Sequence, residues 1–117
     1  MVRIVYVGYG LRKSMYDAIR YIRENYVHGL DFRFYNVSSI DRGLIDPRKY
    51  IDDLKTSDII LLDIRGGDNV FKYTVQGVMG SRARAIIVLV GGSSDLMKLT
   101  RLGKFTMGSF EDSRFRR

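Results

Sequence analysis

The chain has 117 residues, 45% of them apolar, with no cysteine, a single histidine and a formal charge of +7. This length suits one domain with one core, and no apolar run approaches the roughly 20 residues that a bilayer-spanning helix needs. The lack of cysteine removes disulfide frameworks, thiolate metal sites, iron–sulfur clusters and cysteine nucleophiles, and it fits a reducing, cytoplasmic setting.

Met1 to Val7 is too short and too β-branched for a secretory signal and carries no small-residue cleavage site, so it reads as a first strand. Residues 2–7 are apolar apart from Arg3, as in a strand covered on both faces, and Gly8-Tyr9-Gly10 breaks them. Met15, Ala18, Ile19, Ile22 and Tyr26 then recur at helical spacing, which predicts a helix over 14–27, with Ser14 and Asp17 as a capping box. Gly29 closes it. The lone His28 beside that glycine reads as a surface or helix-end residue, because a zinc or non-haem iron site would need two or three histidines.

Phe32 to Val37 is expected as a second strand, with Phe32, Phe34 and Asn36 on one face, and Ser38 to Asp46 as a polar loop. Asp46-Pro47 has the form of an N-cap with proline at the first helical position, opening a short helix through Tyr50, Ile51 and Leu54. Ile59 to Ile64 is a candidate central strand. Arg65-Gly66-Gly67-Asp68 is a loop, Asp68 is the expected cap of a helix over 70–79, and Gly80 ends that helix. Ala85 to Val90 is a fourth strand. Gly91-Gly92-Ser93-Ser94 follows, and Asp95 to Leu102 suits a short helix capped by Ser94.

Strands alternating with helices imply βαβ units with right-handed crossovers. The expectation is therefore an α/β fold: a three-layer, open parallel sheet of about four strands, flavodoxin-like, in the order 2-1-3-4. One domain would cover residues 1–107, with 108–117 as a basic tail. Residues 1–80 carry 12 basic and 10 acidic side chains, and residues 81–117 carry 8 and 3. The basic excess thus sits in the C-terminal third, where it could meet nucleic acid, an acidic partner or an anionic ligand, or simply be solvated.

In open α/β sheets ligands bind beyond the carboxyl ends of the strands, near the switch in strand order. Here those ends carry Gly8-Tyr9-Gly10, Ser38-Ser39, Arg65-Gly66-Gly67 and Gly91-Gly92-Ser93-Ser94, and glycine lets backbone N–H groups approach a ligand. The specific nucleotide signatures fail. Gly8 and Gly10 begin a G-x-G-x-x-G, but position 13 is Lys, and there is no G-x-x-x-x-G-K-[ST]. Asp63 and Asp68 flank a glycine loop as a Mg²⁺ site might, yet a phosphoacceptor site would want acids after the first strand, where Gly8-Tyr9-Gly10 stands. Most aromatic residues, among them Tyr6, Tyr26, Phe34 and Tyr50, fall at core positions. Tyr9 instead projects from a turn at the ligand edge and is a contact candidate.

Two segments carry a family resemblance: Asp58-Ile59-Ile60-Leu61-Leu62-Asp63-Ile64-Arg65-Gly66-Gly67, and Val90-Gly91-Gly92-Ser93-Ser94-Asp95 continuing to Leu99-Thr100-Arg101-Leu102-Gly103-Lys104-Phe105-Thr106-Met107. Over about residues 55–107 the chain resembles the N-terminal region of the cobalt chelatase large subunit, and the magnesium chelatase large subunit is similar there; residues 1–54 agree only in the order of strands and helices. The resemblance implies a non-catalytic domain in cobalamin-type tetrapyrrole synthesis, excised or separately encoded. The rest of the large subunit and AAA+ subunits would be its partners, and ATP and cobalt or magnesium would serve the full complex, with no cofactor in this chain. It further implies ligand or interdomain contact at Arg65, Gly66, Gly67, Gly91, Gly92 and Ser93, with Arg65, Lys98 and Arg101 pairing with tetrapyrrole carboxylates. Two alternatives stand beside it: a free-standing small-molecule or anion-binding module, and a basic protein associated with nucleic acid.

Overall fold

The computed structural model describes residues 1–25 and 29–88, together with the backbone of 101–102 and 105–106. Strand β1 (Val2–Gly8) is followed by helix α1 (Lys13–Asn25), β2 (Leu30–Asn36), α2 (Val37–Asp41), α3 (Pro47–Lys55), β3 (Ile59–Leu62), α4 (Asp68–Met79) and β4 (Ala85–Val88). Two short strands, β5 (Arg101–Leu102) and β6 (Phe105–Thr106), extend the sheet.

The sheet order is β2-β1-β3-β4-β5-β6. The first four strands are parallel, so the expected α/β architecture with order 2-1-3-4 is the one that forms. Strands β5 and β6 run antiparallel to their neighbours. That corrects the helix expected over Asp95–Leu102 at its last two residues: Leu102 pairs with Ala85 and Arg101 with Ile86, in an extension of the β4 edge. The rest of that expected helix, the end of the fourth strand at 89–90, Tyr26, His28 and the tail over 108–117 lie outside the described residues.

A second correction concerns Ser38 to Asp46, which is not all loop. Asn36 accepts the Ser39 amide at 3.1 Å and caps α2. Val37 and Ile40, three apart, are buried together, which ties this one-turn helix to the core. Helix α3 begins as its sequence implies: Asp46 accepts the Arg48 amide at 3.0 Å, with Pro47 first in the helix. At the start of α1, however, Asp17 does not close a capping box. Its carboxylate pairs with Lys13 at 3.0 Å, one turn back.

The core gathers on one face of the sheet. Val5 and Val7 of β1, Ile60 and Leu62 of β3 and Ile86 of β4 are fully buried there against Ile40, Tyr50, Leu54, Val70 and Val78 from α2, α3 and α4. Alternation sends Ile4, Phe32, Phe34, Ile59, Leu61 and Ile87 to the other face, where they are only half-buried. Right-handed crossovers place α1 on this second face, and α1 lies against β2 with Ile19 as its buried residue. Helices α3 and α4 touch where Gly77 meets Leu54. A Cβ at 77 would sit 2.7 Å from Leu54 Cβ and closer still to its Cδ1.

The core face of edge strand β2 is ionic. Arg3 Nε donates to Asp31 at 2.9 Å, Arg33 bridges Asp31 at 3.2 Å and Asp53 at 2.7 Å, and the Tyr35 hydroxyl donates to the other oxygen of Asp53. Asp53 is buried, so these donors compensate a carboxylate removed from water. Burial, reinforced by Asp53, pushes the Tyr35 hydroxyl up and keeps it a donor. The Arg33 hydrogen bond, helped by Arg3, holds Asp31 below the ordinary carboxylate value.

Two predictions follow from this packing. Gly77→Ala gains about 1 kcal/mol in helix propensity yet should destabilise the fold by about 1–3 kcal/mol, because the methyl overpacks against Leu54. Urea unfolding checks this, and an unchanged or raised midpoint would refute the α3–α4 contact. For Asp31, a depressed carboxylate contributes stability that is present above the unfolded value near 3.9 and lost as pH falls through the folded one. Wild-type stability should therefore decline more steeply below about pH 4 than that of Asp31→Asn; parallel pH profiles would remove Asp31 from this role.

Candidate functional site

The parallel sheet changes its direction of winding between β1 and β3. From β1 the chain turns to α1 and the β2 edge, whereas from β3 it turns to α4 and the β4 edge. The two departing loops diverge to opposite faces and leave a crevice at the carboxyl ends of the strands, the usual ligand position in such sheets. The last rung joining the two strand ends is the Asp63 amide donating to the Val7 carbonyl at 2.7 Å.

Tyr9 and Arg65, both named from sequence as contact candidates, meet across this crevice. The Arg65 amide donates to the Tyr9 hydroxyl at 2.8 Å, and the Arg65 guanidinium lies 5.5 Å from the Tyr9 ring centroid, in cation–π geometry. Tyr9 remains 41% exposed and the Arg65 side chain 57% exposed, so each is accessible to a ligand while held by the other. Together they separate two hollows.

The first hollow, about 480 Å³, lies toward α1. Tyr6 and Asp63 form its base, and Arg12, Ser14 and Met15 its wall. Asp63 is buried and accepts Arg65 Nε at 3.3 Å. Burial and the Asp63 charge raise the Tyr6 hydroxyl above its ordinary value, while Arg12 and Arg65 pull it the other way. Tyr6 is thus a neutral donor at physiological pH, in a hollow where Asp63 faces two arginines. Arg12 was not singled out from sequence. Its signal was a basic residue in the turn opening a helix whose first turn holds no acid.

The second hollow, about 440 Å³, lies toward α2 and α4 and is walled by Ser38, Arg42 and Gly66. Gly66 has open space around it. Gly67 has a different reason to be glycine: its φ is +112°, and a Cβ there would stand 2.8 Å from Asp41 Oδ1. That carboxylate accepts the Asn69 amide at 2.9 Å and the Val70 amide at 3.1 Å. The cap of α4 is therefore Asp41, delivered from α2. Asp68, the cap expected from sequence, is the first residue inside the helix. The positive end of α4 is already occupied by a protein carboxylate, and Gly67 makes room for it.

Of the remaining sequence candidates, Gly91, Gly92 and Ser93 lie outside the described residues, and Arg101 is described only as backbone in β5. Among the described residues no group of three or more His, Cys, Asp or Glu side chains could hold a metal ion. No helix among them is long and apolar enough to cross a membrane. Neither family models nor the curated proteins contain a match to this chain.

Removing the Asp41 carboxylate orphans two amides, so Asp41→Ala should lower stability by about 1 kcal/mol, within the usual range for a lost cap. Asp68→Ala should cost clearly less. Chemical denaturation of both variants checks the assignment, and the reverse ranking would return the capping role to Asp68.

Proposed function

We propose that this chain is a non-catalytic ligand-binding domain of the cobalt- or magnesium-chelatase large-subunit type, whose β1/β3 rim receives carboxylates of an anionic tetrapyrrole. The observation that carries this reading is that Arg12, Arg65 and Tyr6 line one hollow at the switch point, whose one acid among the described residues, Asp63, is already paired with Arg65. The strand and loop that contribute Asp63 and Arg65 to it belong to Asp58–Gly67, the first of the two segments on which the resemblance rests. Arginine is suited to carboxylates because its planar fork presents parallel donors. Tyr6 adds a neutral donor, and Leu11 and Met15 add apolar wall against which the rim of a macrocycle can rest. In this reading metal insertion belongs to the remainder of a large subunit and to ATP-hydrolysing partners.

A second reading, a free-standing module for small anions, is favoured by one fact. Among the described residues, those that line the hollow fall within residues 6–65, and all but Asp63 and Arg65 precede the first resembling segment.

Titration of the chain with a polycarboxylated porphyrin, followed by absorbance, tests the first reading. Saturable binding is expected, weakened about tenfold or more in Arg12→Ala and in Arg65→Ala, the scale of a lost charge-assisted hydrogen bond. Saturable binding that neither substitution weakens would sink the site. Binding of acetate or phosphate as tight as that of the porphyrin would favour the small-anion module.

A further inference from the structure

The two hollows at the rim share a wall, and that wall is the Tyr9–Arg65 pair. Each hollow has one further arginine of its own: Arg12 on the α1 side and Arg42 on the α2 side. Both are exposed, and neither has an ion-pair partner among the described residues. The acids nearby are engaged. Asp63 accepts Arg65 Nε, and Asp41 accepts two amides of α4. Arg65 thus lines a hollow with each of the other two arginines, and its Nε is turned to Asp63.

Resting on the reading of the rim as a carboxylate site, we infer that it holds two carboxylates of one ligand at once. One sits with Arg12 and Tyr6 in the first hollow. The other sits with Arg42 and Ser38 in the second, and the spacer between them crosses over Tyr9 and Arg65. Three features support a single bridging ligand over two independent anions. Tyr9 and Arg65 line both hollows, so the two adjoin and two carboxylates joined by a chain can reach both. Arg65 borders both and can serve either end. Tyr9, with the Arg65 guanidinium over one face of its ring, keeps aromatic surface exposed between them, which suits an apolar spacer and is of no use to a free anion. Joining the two ends makes the second contact intramolecular, so affinity rises without any new interaction.

Pimelate and hexanoate, a dicarboxylate and a monocarboxylate of similar chain, are the probes, titrated calorimetrically into the intact chain at matched ionic strength. Pimelate should bind about tenfold or more tighter than hexanoate, a modest share of what linkage can supply. Arg42→Gln should bring pimelate down to the hexanoate level and leave hexanoate within about twofold. The Arg42 side chain is exposed, and its part in the fold is a backbone bond to Ser38; circular dichroism of the variant, with Arg42→Lys as a charge-preserving control, verifies that it folds. Equal affinities for the two probes would overturn the bridging mode. So would an Arg42→Gln effect of the same size on both, which is the signature of a general field. Either result leaves the carboxylate reading standing if the porphyrin still binds through Arg12 and Arg65. If porphyrin, pimelate and hexanoate all fail to bind, the carboxylate reading falls, and the bridging mode falls with it.

Discussion

The bond from the Asp63 amide to the Val7 carbonyl decides where everything at the rim can go. It is the final rung between two parallel strands whose next residues must leave in opposite directions. Because it extends the pairing one residue past β3, Asp63 is held level with the end of β1, and its side chain falls on the α1 face beside Tyr6. Arg65, two residues on, is then within reach of both Asp63 and Tyr9. A ladder that frayed one residue earlier would leave a carboxylate and an arginine on a free loop, with no fixed relation to the turn carrying Tyr9.

The helix ends at this rim are used unequally. At α4 the positive terminus is neutralised from within, because Asp41 of α2 supplies the carboxylate and Gly67 adopts a left-handed backbone so that the carboxylate can fit. Gly67, the second glycine after β3, therefore accommodates a protein oxygen, whereas Gly66 faces open space. Among the described residues the rim also offers side-chain charge, from Arg12, Arg42 and Arg65, with the Tyr6 hydroxyl and the Tyr9 ring. This agrees with the absence of a dinucleotide or phosphate-loop signature: a site that recognises anions through guanidinium groups has no need of closely approaching backbone amides.

The fold was legible because the parallel strands are buried mainly by their own apolar runs. Ile59 to Ile64 and Ala85 to Val90 are short apolar runs between turn residues, and strands β3 and β4 form within them, as the helices form at the helical spacing before Gly29 and at Asp46-Pro47. Tyr9 and Arg65 were legible because residues just past a strand end in such a sheet have only the rim to occupy. The misses have a common cause. Helix α2 has too few residues to show a period, and it is specified by Asn36 bonding to Ser39 and by two apolar residues whose partners lie elsewhere in the chain. The cap of α4 comes from a residue 28 positions before the amide it accepts, and local sequence favours the nearer aspartate. Arg12 and Arg42 look like ordinary surface charges until the two hollows are seen to share a wall.

The opposite edge of the molecule shows why the rim can remain open. Strand β2 carries Asp31, Arg33 and Tyr35 on the face where the other strands carry valine, isoleucine and leucine, and it closes that face with paired charges around Asp53. Of the charged groups in this network only Asp53 is buried, and removing Arg33 or Tyr35 would leave its carboxylate with fewer donors, which is the costly way to break such a pair. Helix α3 packs against α4 through Leu54 and Gly77, and the amino end of α4 is tied to α2 through Asp41. The ionic edge is thereby coupled, through two helices, to the loop that holds Arg65. An elongated, doubly charged ligand of the kind proposed would need its arginines held at a set spacing, and Tyr9, which accepts the Arg65 amide and lies under its guanidinium, holds one of the three.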